Sequence, residues 1–280
     1  MNATFDNNLA GSFCLYVDNL VLTKGAAYTN VTGNLYQTTT KLISPSVYSS
    51  PYGQIVSDTS VAGAIVPSGF TLDGNFTNRG PNLMIDFNHG RIVCPSGTQY
   101  NQVVGSYAMK DFDIFYSSET EENLLFDTSF RVRTKMGQNV APLKEGEKSF
   151  PAIYIKYTPG ENRPFAFGGQ DETNSQFRCI ILSDSMFKLE AAMCILRDSA
   201  RSWFAMLNPA DIPFNEWGDL KTGDFFNYKT LSASKSPNDL IYIDRVRITK
   251  FREIANTNIG RNVFGGFADF DLKIPRYPRA

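Results

Sequence analysis

Residues 184–207, DSMFKLEAAMCILRDSARSWFAML, constrain this chain more than any other stretch. The apolar positions Leu189, Met193, Leu196, Ala200, Trp203 and Leu207 recur at alternating steps of four and three residues. That spacing places them on one face of an α-helix. Ser183, Asp184 or Ser185 can start the helix by accepting from first-turn amides. Asn208 precedes Pro209, and a residue before proline is pushed out of the helical region, so the helix ends there. Nearly everything else reads as short strands and turns. A helix with one apolar stripe among strands is most simply a cover on one face of an antiparallel sheet.

The predicted fold class is therefore β-rich α+β: an N-terminal all-β domain, then an antiparallel sheet covered by a single long helix. Residues 1–133 form the first domain in this reading. FCLYV (13–17) is a strand. The polar stretch 24–54 is an extended loop or arm with room for a short strand. SVAGAIV (60–66) and FTLDGNF (70–76) are strands around turns, with Asp73-Gly74 supplying a tight turn. LMIDFNHGRIV (83–93) is the clearest hairpin: Leu83, Ile85 and Phe87 alternate with polar neighbours before the turn Asn88-His89-Gly90. Segments 101–117 and 123–133 supply further strands. Residues 134–148, polar with Gly and Pro and without an apolar period, form a linker.

In the second domain, 149–280, strands are expected at FPAIYIKY (150–157) and SQFRCIILS (175–183), on either side of a Gly- and Pro-bearing loop. After the helix come FFNYKTL (225–231), LIYIDRVRITKF (240–251) and NVFGGFADFDLKI (262–274). In the last, Phe264, Ala268, Phe270, Leu272 and Ile274 share a face, with Asp269 and Asp271 on the other.

Chains of 280 residues bury a real core, so no disulfide or metal is required for folding. Cys14, Cys94, Cys179 and Cys194 are scattered, without the paired spacing of a zinc site, and read as reduced, mostly buried thiols. Basic and acidic residues balance at 27 against 28, which argues against nucleic-acid contact. No apolar run reaches the roughly 20 residues of a membrane span, and the N-terminal segment lacks the pattern of a secretory signal. No cofactor, metal or membrane partner is expected. GDLKTGD (218–224) and GGQDETN (168–174) only faintly resemble calcium loops.

Catalytic signatures are missing. His89 is the only histidine, and its place in a turn suits backbone geometry better than nucleophile activation. Glu119, Glu121 and Glu122, and the Asp-Phe-Asp runs at 111–113 and 269–271, are the carboxylates a glycosidase would draw on. They fall at strand ends or on alternating polar faces, where a solvated or interfacial role fits. Arg245, Arg247, Lys250 and Arg252 make a basic run along one strand. It reads as a wet strand face, or as an ion-paired contact between subunits. Tyr48, Tyr52, Arg245, Arg247 and Arg252 are the candidate interface residues.

The chain resembles virion structural proteins of tailed bacteriophages, in particular neck and tail-completion (tail-terminator) proteins. Three stretches carry this: the Tyr/Ser/Asn/Gly-rich β section with LMIDFNHGRIV, then SETEENLLFDTSF, then PFAFGGQDETNSQFRCIILSDSMFKLEAAMCILRDSARSWF with the following PFN and FFNY. The resemblance implies a small antiparallel sheet with a helix on one face. It also implies a non-enzymatic homo-oligomeric ring at the head–tail junction, located in the virion and partnered by other neck or tail proteins. The alternative is a baseplate or tail-fibre attachment module that binds a receptor or carbohydrate.

Overall fold

The computed structural model describes residues 5–38, 45–124, 132–134, 148–166, 170–208, 210–213, 225–236, 239–251 and 263–276. The protein is β-rich, with two large sheets and few helices. The expected all-β N-terminal part is corrected at once. Residues read as the strand FCLYV belong to a helix of 20 residues, α1 (Phe5–Lys24). Leu9, Phe13, Leu15, Val17, Val21 and Leu22 are all buried, and so are Cys14, Tyr16 and Asp18 between them. A helix buried on every side shows no polar stripe.

The first sheet orders its seven strands β4-β3-β7-β1-β2-β6-β5. These are β1 (Tyr28–Gln37), β2 (Ser46–Ser49), β3 (Gly69–Leu72), β4 (Asn75–Asn78), β5 (Met84–Asp86), β6 (Arg91–Cys94) and β7 (Val103–Lys110). The hairpins at 69–78 and 84–94 form as the turn chemistry predicts. Asp73 and Gly74 both carry positive φ, at 45° and 86°, as a tight two-residue turn demands. Two expectations give way. Within the predicted polar arm, Tyr28–Gln37 is a strand at the middle of the sheet, paired with β7 from Tyr28↔Lys110 to Leu35↔Val103. Residues 60–63 form a turn and 64–66 run on irregularly, instead of a strand.

The second sheet runs β13-β14-β15-β12-β11-β8. Its strands are β8 (Asp113–Tyr116), β11 (Ala152–Ala166), β12 (Gln170–Ser183), β13 (Trp203–Ala205), β14 (Leu240–Lys250) and β15 (Phe264–Arg276). β8 joins β11 in parallel; the other pairs are antiparallel. Two further strands, β9 (Val132–Thr134) and β10 (Lys148–Phe150), pair with each other in parallel. Of the predicted linker, residues 135–147 lie outside the described residues.

The expected helix cover is present but shorter: α2 (Met186–Asp198) packs on β12, β14 and β15. Leu189, Met193 and Leu196 are buried as the period predicts. Beyond Asp198 the chain turns. Ser199 and Ser202 hydroxyls donate to the carbonyls of Leu196 and Ser199, and Arg201 takes a φ of 61°. Trp203 therefore lies on an edge strand, 54% exposed, and not on the helix stripe. Start-site hydroxyls also act differently: Ser185 caps without a side-chain bond, its own N–H donating to Ser183 Oγ. Likewise FFNYKTL is not a strand. It runs into a short helix, α3 (Tyr228–Ala233), capped by Asn227, whose side chain accepts from Thr230 N.

One contiguous apolar cluster runs from the first sheet (Leu35, Phe70, Ile92, Tyr107) through α1 to the inner face of the second (Phe177, Ala268, Phe270, Leu272). Phe13 is its hinge. Its ring stacks on Phe177 at 4.1 Å and meets Phe270 and Phe204 edge-on at 5.0 and 5.6 Å. With the inner face buried under α1 and α2, the outer face of the second sheet is left to polar and charged side chains over part of its area.

Candidate functional site

Strand alternation builds the site. On β15, Ala268, Phe270 and Leu272 point inward and are buried, so Asp269 and Asp271 point out. On β12, Phe177 and Cys179 point inward, so Gln176 and Arg178 point out. On β14 a bulge between Ile243 and Arg245 re-aims the strand. After it, Arg245 and Arg247 share the outer face. The register aligns these residues in two rows. One row is Lys156, Arg178, Asp269 and Arg247; the next is Thr158, Gln176, Asp271 and Arg245.

Side-chain bonds follow the rows. Arg178 grips Asp269 with two bonds, Nε to Oδ1 at 2.6 Å and Nη2 to Oδ2 at 3.2 Å. Its Nη1 donates to Glu121 Oε1 at 2.7 Å. Glu121 reaches it from a helical turn at 121–124, whose Leu124 is buried against Phe150, Ala152 and Tyr154. The Arg178 guanidinium also sits over the Phe267 ring at 5.0 Å. Hydrogen bonding to Asp269 raises the Arg178 pKa still further above its ordinary value; burial opposes this and the bond to Glu121 adds to it. In the second row, Asp271 accepts from Gln176 Nε2 and Arg245 Nε, both at 3.0 Å, with Arg247 Nη2 at 3.6 Å.

Around these rows lies an open cleft of about 300 Å³, lined among others by Lys156, Arg178 and Arg247 and by Glu121, Asp269 and Asp271. Cations and carboxylates balance. Each carboxylate of the cleft is engaged by a guanidinium, which holds charge in place and gives specificity of contact. The arrangement is suited to ordered recognition of another charged surface.

The predicted site residues do not gather. Arg245 and Arg247 belong to the ladder, with side chains 61% and 59% exposed. Tyr48 is 2% exposed, held in the first sheet, and its hydroxyl accepts from Tyr100 N at 2.6 Å. It has no surface to offer a neighbour in this form of the chain. Tyr52 is half-buried against the same core. Arg252 lies outside the described residues, as does the whole of the faint calcium-loop candidate at 218–224. The other faint candidate, 168–174, is described from Gln170 and forms the start of β12. His89 sits in its turn with Nδ1 2.9 Å from Asp86 Oδ2. Cys14, Cys94 and Cys179 are buried free thiols, and Cys194 is an exposed one.

Sequence reasoning missed Arg178, Gln176 and Lys156 as members of the site, whereas Glu121, Asp269 and Asp271 were among the carboxylates it singled out. A usable signal existed. Arg-x-Arg at 245–247 and Asp-x-Asp at 269–271 are opposite charges on strands of matching alternation, as an adjacent antiparallel pair would favour.

Among the described residues no three His, Cys, Asp or Glu side chains gather as a metal site requires. No helix among them is long and apolar enough to cross a membrane. No protein-family model matches the chain, and no curated protein matches it by sequence.

Proposed function

We propose that the chain is a non-enzymatic structural protein of a tailed-phage virion, working as a ring subunit in the neck or tail-terminator region. The observation that carries this reading is the outer face of the second sheet. There, opposite charges are fixed in register across four strands and end in two exposed arginines at the β14 edge. A protein that acts through repeated contacts needs such pre-ordered surface, because fixed side chains lose less freedom when a neighbour docks. The stretches that resemble neck and terminator proteins include this same β12 and α2 region.

Native mass spectrometry of the purified chain tests the proposal, together with its detection at the head–tail junction of purified particles. The expected result is a closed oligomer of one defined copy number. A strictly monomeric species at tens of micromolar (roughly the range in which weak interfaces still associate), without affinity for neck or tail components, overturns it.

A second reading has one observation in its favour. Trp203 lies exposed beside Tyr242, ring centroids 4.8 Å apart, at the edge of the same sheet. Such an aromatic platform suits stacking on a sugar face, as a carbohydrate- or receptor-binding attachment module would use. A glycan array in which binding is lost on Trp203→Ala would favour it over the ring.

A further inference from the structure

The edges of the second sheet are not equivalent. At one side, the outward backbone of β8 is capped at Ile114. Gln54, 1% exposed, lies along it and imitates a strand: its Nε2 donates to the Ile114 carbonyl at 2.7 Å and its Oε1 accepts from Ile114 N at 3.0 Å. Where β11 runs on past β8, Pro159 and Pro164 interrupt its row of donors. The other side differs. β13 covers β14 only at Leu240, Ile241 and Tyr242, and the last bonds reach Ile243. From Asp244 to Lys250, no strand among the described residues pairs with the outward edge of β14. A strand edge with unpaired backbone groups is a template for another chain.

We infer that this β14 edge docks, head to tail, on the acidic corner at residues 116–122 of a second copy of the chain. The inference rests on the ring reading above and names its contact. Charge selects the occupant. Arg245 and Arg247 share the single carboxylate of Asp271, so a positive charge remains on the edge. The side of the sheet that carries β8 presents Glu119 and Glu122, both exposed and without an ion-pair partner among the described residues. Tyr116, 48% exposed, stands beside them, and Trp203 flanks the basic edge.

Symmetry selects the geometry. Two β14 edges meeting about a two-fold axis at Val246 would set Arg245 of each copy against Arg247 of the other, and like charges directly opposite destabilise a pair. Contact between two different patches is heterologous, and a heterologous contact that closes makes a ring. Because Gln54 already satisfies Ile114, the receiving side contributes exposed side chains and the loop after β8, not a continued sheet.

The test uses the full-length chain and two charge-reversed variants, Arg245→Glu/Arg247→Glu and Glu119→Lys/Glu122→Lys, with assembly followed by native mass spectrometry and sedimentation. Each variant alone is expected to need at least about tenfold more protein to assemble, the scale of losing a charge-matched contact. An equimolar mixture is expected to regain assembly with alternating subunits, since each altered patch then meets an altered partner. Circular dichroism separates a lost contact from lost folding, and rescue on mixing cannot come from unfolded chains. Wild-type assembly that persists unchanged in both variants overturns this contact and leaves the ring reading standing. So does a mixture that stays monomeric while each variant is folded. A monomeric wild type overturns both.

Discussion

Replacing Lys110 by Met tests how α1 is locked to the first sheet. Lys110 ends β7 and its Nζ lies 2.6 Å from Asp18 Oδ1 on α1, with side chains 3% and 8% exposed. Asp58 and Asp113 are close enough to act on the same carboxyl. Removing the ammonium leaves the Asp18 carboxylate buried among like charges. Breaking a buried pair from one side costs about 3–5 kcal/mol, because the remaining ion has no compensation. Against a total stability of roughly 5–15 kcal/mol, that loss is large. Replacing both partners, Asp18→Leu with Lys110→Met, removes the stranded charge. It should return most of the loss, since apolar pairs of similar size are often neutral or stabilising in such sites.

The pH dependence follows with a definite sign. Burial raises the Asp18 pKa above its ordinary value of 3.8, and Lys110 lowers it only in part. Above 3.8 the folded chain therefore holds more protons at this site than the unfolded chain. The contribution of the site to stability falls as pH rises through that window, then levels off past the folded value. Without Lys110 the window extends upward. The difference between Lys110→Met and wild type should shrink as pH drops from about 7 to 5. Urea unfolding followed by fluorescence and circular dichroism at the two pH values measures it. A loss under about 1 kcal/mol, or a difference that does not shrink on acidification, would refute the reasoning.

Further outcomes are expected. Phe13→Ala removes a fully buried ring that touches three strands of the second sheet; unfolding curves should show a loss of about 3–5 kcal/mol. Gly105→Ala would set a methyl group 2.3 Å from the Phe70 ring, which is itself fully buried; a loss of about 1–3 kcal/mol is expected, and Phe70→Leu in the same chain should recover part of it. Gln54→Leu strips two bonds from Ile114 and should cost about 2–4 kcal/mol by thermal or urea unfolding. Arg178→Met should cost only about 1 kcal/mol globally, its ion pairs being partly exposed. Hydrogen exchange should nevertheless report earlier opening of the turn at 121–124, which loses its anchor at Glu121.

Local chemistry by itself determined a good part of the fold. Leu189, Met193 and Leu196 declared the covering helix; Asp73-Gly74 and Asn88-His89-Gly90 declared their hairpins; Ala268, Phe270 and Leu272 declared the inner face of β15. These signals are short-range. A turn needs positive φ wherever it stands, and one-sided burial leaves a period that can be read from spacing.

Tertiary structure alone decided the rest. FCLYV can be a strand or a turn of buried helix, and only the two layers pressing on α1 choose between them, because burial on every side erases the periodic stripe. Tyr28–Gln37 is polar enough for a loop; its place beside β7 comes from a partner about seventy residues away in sequence. The charge ladder is likewise a product of register: Arg178 meets Asp269 across 91 residues and Glu121 across 57. No local rule specifies which strands become neighbours. That choice is made by the shared core, and the polar outer face takes its pattern from it.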